Sequence, residues 1–245
     1  MELRQLTKSA IVDVRKFFRM FRRLDREALA AHYLRGAGLE IGALHNPLRV
    51  PRGVHVRYVD RMTREDLRTH YPELANRALV HVDIVDDGER LTSVQDASQD
   101  FVIANHFFEH CEDPLRTLTH LLRVLRPGGV LFMCVPDKRF TFDATRSVTP
   151  FAHIARDYAE GPAWSRAAHF LEWVTHVEHV ADPVAAGARA QQLMAQGYSI
   201  HYHVWTLEDL MDLLRKAPDV TGLRYGVECM ILGDGETVVV LRNSA

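Results

Sequence analysis

From residue 38 the chain repeats one alternation: a short apolar run, then a longer stretch whose apolar positions recur at helical spacing. The runs lie at 38–42, 54–60, 79–85, 100–104 and 129–135. Runs of this length bounded by turn residues predict strands, and strand, crossover helix, strand is the unit of a parallel sheet. The clearest intervening helix covers 113–126, where Asp113 and Pro114 predict a cap and first turn. The segment 138–200, rich in His, Trp and Ala, interrupts the alternation and predicts helices. Beyond it, 204–216 predicts a helix opened by Thr206, with Glu208 and Asp209 in its first turn. Runs at 223–231 and 236–242, joined by Gly233-Asp234-Gly235, predict an antiparallel hairpin. The pattern is that of an α/β fold.

Residues 1–35 predict a helical N-terminal extension. Nine Arg or Lys stand against four acidic residues there, with Phe17, Phe18, Met20, Phe21 and Leu24 as apolar anchors. Both a capping helix with solvated arginines and a helix lying on a membrane surface fit that pattern.

Composition narrows the classes. A chain of 245 residues, 47% hydrophobic and 25% charged, predicts one α/β domain with insertions. A formal net charge of −2 gives no overall attraction to nucleic acid or anionic lipid. Cys111, Cys134 and Cys229 are widely spaced, which suits a reducing compartment and makes no metal pattern. With no secretory h-region and no apolar run of about 18 residues, the expectation is a cytoplasmic protein without stable membrane insertion.

In open parallel sheets ligands bind beyond the carboxyl ends of the strands. Read that way, the exits are Glu40-Ile41-Gly42, Tyr58-Val59-Asp60, Val82-Asp83-Ile84, Ala104-Asn105-His106 and Val135-Pro136-Asp137. Asp60 stands about 20 residues after the first exit glycine, where a carboxylate accepts both hydroxyls of a ribose. Asp83 is placed to accept from an exocyclic amino group of adenine, with Ile84 against the ring. The set describes an adenosine site. Each acid alone is equally a helix cap or a solvated turn residue.

This order of motifs resembles class I S-adenosylmethionine-dependent methyltransferases of the type 11 kind. DFVIANHFFEH (100–110) and LLRVLRPGGVLFMCVP (121–136) carry the likeness, with Gly128 and Gly129 reversing the chain before a strand. The resemblance implies a Rossmann-like, seven-stranded, mostly parallel sheet with an antiparallel C-terminal hairpin and a helical insertion after strand 5. It divides the chain into an extension, 1–35, and a cofactor-binding domain, 36–245, whose insertion at 138–200 would lie over the acceptor as a lid. It also implies S-adenosylmethionine as cofactor. Glu40 and Gly42 would hold its methionine end, Asp60 the ribose, and Asp83 with Ile84 the adenine. Asn105 and His106 would lie beside the reactive methyl group, with His45 lining the same space. The chain departs from the family's Gly-x-Gly-x-Gly loop, since Leu44 and Asn46 occupy the later glycine positions. Asn46 and Pro47 offer another route to the turn, because Asn tolerates the left-handed conformation.

The insertion side is rich in bases. Transfer to a hydroxyl needs proton removal during attack, and imidazole suits that near neutral pH. His106, Asp137 and His203 are the catalytic candidates, with His110 and His201 nearby. Asp137, His176 and His179 are candidate ligands for a divalent metal such as Mg²⁺, Glu172 lying four residues before His176. Trp164, Trp173, Trp205, Tyr158, Tyr198 and Tyr202 offer faces for stacking on sugar rings, or are core. Together with the usage of a GC-rich genome (26 Arg against 4 Lys), this points to O-methylation of a saccharide in actinobacterial polysaccharide biosynthesis. The acceptor would be a small molecule or oligosaccharide, nucleic acid is not expected as partner, and a homo-oligomer is compatible with the sequence. The competing readings are a methyltransferase of a non-sugar metabolite, a binding subunit that has lost turnover, and an NAD-dependent oxidoreductase, against which the reduced glycine motif argues.

Overall fold

The computed structural model describes residues 25–74 and 76–244. The anchors Phe17 to Leu24 of the expected basic extension lie outside the described residues. What is described begins with helix α1, Arg26–Tyr33, capped by Asp25, and the short helix α2, Arg64–His70, follows later in the chain. The strands are β1 (Ala37–Ile41), β2 (His55–Asp60), β3 (Ile84–Val85), β4 (Gln99–Asn105), β5 (Leu125–Pro136), β6 (Tyr225–Gly233) and β7 (Glu236–Asn243). They form one seven-stranded sheet in the order β3-β2-β1-β4-β5-β7-β6. Pairing is parallel from β3 through β5, and antiparallel between β5 and β7 and between β7 and β6. This is the Rossmann-like arrangement expected, C-terminal hairpin included. The hairpin turns on Asp234 and Gly235, both at positive φ (54° and 85°), the geometry whose twist matches paired strands.

The central strands are continuous apolar runs because both sheet faces are covered. Along β4 the side chains alternate: Val102 and Ala104 join one core, Phe101 and Ile103 the other. Helix α3 (Pro114–Arg123) packs Leu115, Leu118, Leu121 and Leu122 onto the first face. Helix α7 (Leu207–Thr221) adds Leu210, Leu213 and Leu214, and starts from a capping box between Thr206 and Asp209. Leu29, Ala30 and Leu34, from α1 and just after it, cover the second face. Between β5 and α7 lie α4 (Phe151–Glu160), α5 (Arg166–His176) and α6 (Pro183–Ala195). Helices α5 and α6 build a small core of their own around Phe170, Trp173, Val174 and Leu193. Among the described residues no helix is long and apolar enough to cross a membrane.

The third strand is shorter and later than the apolar run suggests. The pairing covers Val59 with Ile84 and Asp60 with Val85. Asp83 therefore precedes the strand, and Asp86 and Asp87 follow its exit.

Candidate functional site

The chain passes from β1 to one side and from β3 across to β4 on the other, so the strand order reverses between β1 and β4. That reversal opens the crevice in which such sheets bind ligands. Glu40 lies on β1 beside Ile103 of β4 and Tyr58 of β2. It is buried, and its Oε1 accepts from the backbone N–H of Leu48 at 2.8 Å, which folds the loop 42–48 back over the strand end. Its Oε2 is buried with no hydrogen-bond partner. Burial pushes the Glu40 carboxyl up to about 7, against the opposing Leu48 hydrogen bond.

Gly42 follows at φ +64°, with open space where a side chain would stand. Leu44 takes φ 49°. The left-handed non-glycine residue of this loop is thus Leu44, at one of the missing glycine positions, and not Asn46, which closes a turn by donating its N–H to the Ala43 carbonyl at 2.9 Å. A leucine here carries the steric cost that glycine avoids, of about 1–2 kcal/mol.

Asp60 ends β2 half-buried, and burial raises its carboxyl despite the hydrogen bond from Arg61 N at 2.8 Å. Asp83 is exposed, and its Oδ2 accepts from Tyr58 N at 2.8 Å on the entry side of β3. That contact ties it to the sheet and away from the exits. Asp86, which follows the strand, is consumed by its own turn, accepting from Ser93 N at 2.7 Å, Ser93 Oγ at 2.6 Å and Thr92 Oγ1 at 3.0 Å. Ile84 packs half-buried against the main core. At the β4 exit, Asn105 Oδ1 is buried without a partner. A cavity of about 570 Å³ around Gly36, Asp100, Arg126 and Gly128 opens at the opposite, amino-terminal ends of the strands. Two orphaned polar groups, Glu40 Oε2 and Asn105 Oδ1, are at the exits, and these carry the candidate cofactor chemistry.

The expected catalytic set does not come together as bases. His106, at φ 48°, has its Nε2 2.7 Å from Glu236 Oε2 and its Nδ1 3.6 Å from Glu109 Oε1. The contacts with Glu109 and Glu236 raise it to about 9, so it is an imidazolium at neutral pH and has no proton-accepting nitrogen. Asp137 is buried, and accepts from Arg139 N, Nε and Nη2 and from Leu207 N at 2.6–3.0 Å. Burial would raise its carboxyl, but these donors outweigh burial and hold it low. His203 is fully buried, and burial drives it well below the ordinary imidazole value.

Nor do His176 and His179 share a helical face. Helix α5 ends at His176, and His179 sits at φ 58° beyond it. Glu172 turns instead to Arg146 Nη2 at 2.9 Å. Trp173 and Trp205 are core residues, whereas Trp164 and Tyr198 are exposed.

Another group takes that place. The chain leaves β4 through Asn105 and His106 into a single 3₁₀ turn, Phe108–His110, which brings Glu109 and His110 against His201. One ligating atom of each of these three lies within 4.8 Å of the others. Both Glu109 carboxylate oxygens are buried without hydrogen-bond partners. Burial would raise Glu109, yet His106, His110 and His201 around it outweigh that and keep it low. His110 donates from Nδ1 to the Ile200 carbonyl at 2.8 Å, and burial lowers it, leaving a neutral ring. His201 Nδ1 faces Asp143 Oδ2 at 2.7 Å. Burial opposes ionisation of Asp143, but His201 and the buried Arg146, 2.8 Å from its Oδ1, hold it low. Phe142, 55% exposed, stands with its ring centroid 4.9 Å from that of His201. Neither Asp143 nor Arg146 was marked by spacing in the sequence, since they lie in an irregular stretch without a motif.

Residues 37–133 match the methyltransferase-domain family. A comparison with curated proteins finds no match. Among solved structures, a Rhodobacter sphaeroides protein named for Zn-dependent alcohol dehydrogenases is 18% identical over 91% of this chain and 92% of its own, at a TM-score of 0.54. That likeness shows the fold alone. A SAM-dependent methyltransferase from Methanosarcina mazei is 16% identical over 86% and 95%, at 0.46. The CurJ carbon methyltransferase is 16% identical over 86% of this chain at 0.45, and this chain spans only 49% of it. The chain thus carries a methyltransferase domain over residues 37–133.

Proposed function

We propose that the protein methylates a hydroxyl group of a saccharide or related small hydroxylated molecule. The observation that carries this reading is the Asp143–His201 pair, 2.7 Å apart, beside the carboxyl end of β4. Asp143 fixes His201 with its Nδ1 proton inward, which leaves Nε2 as the proton acceptor. An amine or carboxylate acceptor has little need of such a base, and a sugar hydroxyl does.

The cofactor's fit is supported by the orphaned groups at the strand exits. Glu40 Oε2 is a buried acceptor without a donor, and Asn105 Oδ1 another. The open side of Gly42 leaves room for close backbone approach. Glu40 would take the ammonium of the methionine end and Asp60 the ribose hydroxyls. When bound, S-adenosylmethionine supplies a methyl group activated on its sulfonium. The residues of the chain position the acceptor oxygen, exclude water and hold its proton. His201 Nε2 takes that proton, and the charged Glu109 stabilises the imidazolium that results. Helices α4 to α6 form a lid over the acceptor, to which exposed Phe140, Phe142 and Trp164 offer aromatic faces. A polysaccharide-building pathway is the setting this chemistry suits.

The test is a screen of hydroxylated acceptors, methyl-poor sugars first, with S-adenosylmethionine and mass detection of product. Transfer that falls by two orders of magnitude in His201→Gln, with S-adenosylhomocysteine binding unchanged, supports the reading. Transfer to amines or carbons only, or full activity in His201→Gln, overturns it.

A further inference from the structure

Deeper in the lid a second group of imidazoles converges from three separate elements. His153 comes from α4, His169 from α5 and His203 from the segment before α7. One nitrogen of each ring lies within 4.8 Å of the others. His153 Nε2 is 3.1 Å from His169 Nε2. Asp157, one turn after His153 on the same helix face, places its Oδ2 3.3 Å from His153 Nε2 and 3.8 Å from His203 Nε2. Asp157 and His203 are wholly buried, His169 nearly so, and the His153 side chain is 21% exposed at the outer edge. Asp157 Oδ1 is satisfied by Ser165 Oγ at 3.1 Å, but Asp157 Oδ2 has no hydrogen-bond partner. His203 Nε2 lies 3.3 Å from the Glu112 carbonyl, a contact it gives up on ligation, and its Nδ1 has no partner.

A buried hydrogen-bonded cluster pairs its polar atoms, because each orphan costs about 1–3 kcal/mol. This cluster instead aims a carboxylate oxygen and three imidazoles at one point. A tetrahedral ion with bonds of about 2.0–2.2 Å has ligand-to-ligand edges of roughly 3.3 Å. The separations of 3.1 and 3.3 Å are such edges, and 3.8 Å is close to one.

We propose that His153, His169, His203 and Asp157 bind one divalent transition-metal ion, of which Zn²⁺ is the type. Three imidazoles and one carboxylate select a borderline-soft ion over Mg²⁺ or Ca²⁺, which prefer all-oxygen shells. Four protein ligands close the shell, so the ion is structural. It pins α4 and α5 to the segment 201–205, two residues from His201, and so fixes the lid over the acceptor side. The proposal stands whatever the acceptor is.

The test uses the untagged full chain, stripped of metal with a chelator and titrated with Co²⁺. The expected result is one equivalent bound, with the strong visible absorption of tetrahedral Co²⁺, displaced by Zn²⁺. Zn²⁺ at 100 times its dissociation constant should raise Tm by roughly 5–10 °C. His153→Ala and Asp157→Asn should each weaken Co²⁺ binding at least tenfold, while Glu109→Gln leaves it unchanged. If Asp157→Asn does not fold, His153→Ala carries the comparison, since that ring sits at the outer edge. Absence of a saturable tetrahedral spectrum in the wild type overturns the proposal. So does binding that survives His153→Ala, or binding that disappears with Glu109→Gln.

Discussion

His201 Nδ1 lies 2.7 Å from Asp143 Oδ2, and Asp143 is in turn held by Arg146 at 2.8 Å. The relationship fixes which nitrogen of His201 carries its proton. Asp143→Asn can offer its amide N–H to Nδ1 and so favours the wrong tautomer. Turnover on a hydroxyl acceptor should fall about 10²–10⁴-fold. Affinity for S-adenosylhomocysteine, measured by calorimetry, should stay within about twofold. His201→Gln should cost as much, and the double variant little more, because the two act as a unit. Full turnover in Asp143→Asn would remove His201 from the mechanism.

Glu40 gives a prediction for cofactor affinity. Its carboxyl, pushed up to about 7, is largely neutral at pH 6 and ionised at pH 8. If its carboxylate receives the cofactor's ammonium, affinity for S-adenosylhomocysteine should weaken roughly tenfold from pH 8 to pH 6. Glu40→Gln should bind weakly at both values with that dependence gone. A wild-type affinity flat across this range would take Glu40 out of the cofactor contact.

Much of the fold was legible because parallel strands buried on both faces read as unbroken apolar runs, and Thr206 and Asp113 stand where caps must. The site was less so. His203 and His201 are two residues apart in one segment, yet one is wholly buried beside Asp157 and the other faces Asp143. No local pattern separates them, because partners more than forty residues away decide their surroundings. Asp83 was misplaced for a similar reason. β3 is a two-residue strand set by its pairing to Val59 and Asp60, and the apolar run around it is longer.

His106 should make stability depend on pH. Its folded value of about 9 lies above the ordinary imidazole value of 6.5, so the folded state holds the proton more tightly. The contribution is therefore fully present below about pH 6.5 and is lost as pH rises through 9. The ring is 46% exposed, and after discounting for solvent screening roughly 1 kcal/mol is at stake. Urea unfolding at pH 6.5 and 9.5 should show that loss in the wild type. In His106→Gln the difference should be smaller by the same amount.

The 42–48 loop separates strain from cofactor contact. Leu44→Gly relieves a left-handed leucine worth about 1–2 kcal/mol, but gives up some apolar contact and frees the unfolded chain by about 0.4–1 kcal/mol. Stability should change by less than about 1 kcal/mol, with cofactor affinity preserved. Gly42→Ala forces an alanine to φ +64°, at about 1–2 kcal/mol, and puts a methyl group into the open side of the loop. It should lower Tm by roughly 2–8 °C and weaken S-adenosylhomocysteine binding at least tenfold. Unchanged binding in Gly42→Ala would place the cofactor elsewhere.

Asp137 was expected among the catalytic residues, and its hydrogen bonds assign it other work. A carboxylate has about four lone-pair sites. Arg139 N and Nε occupy Oδ1 at 3.0 and 2.9 Å, while Arg139 Nη2 and Leu207 N occupy Oδ2 at 2.6 and 3.0 Å. Nothing remains for an acceptor proton or a metal, and the Leu207 bond anchors the first turn of α7. Asp137→Asn keeps an oxygen for Leu207 N but turns an N–H₂ toward the Arg139 guanidinium. The cost should be about 1–3 kcal/mol, a fall in Tm of roughly 2–12 °C. Because the native carboxyl is held low, its contribution is present above the ordinary carboxylate range and lost as pH falls through the folded value. The Tm gap between variant and wild type should therefore narrow in acid. Turnover per folded molecule should be unchanged at neutral pH, and a loss of tenfold or more with Tm intact would return Asp137 to the chemistry.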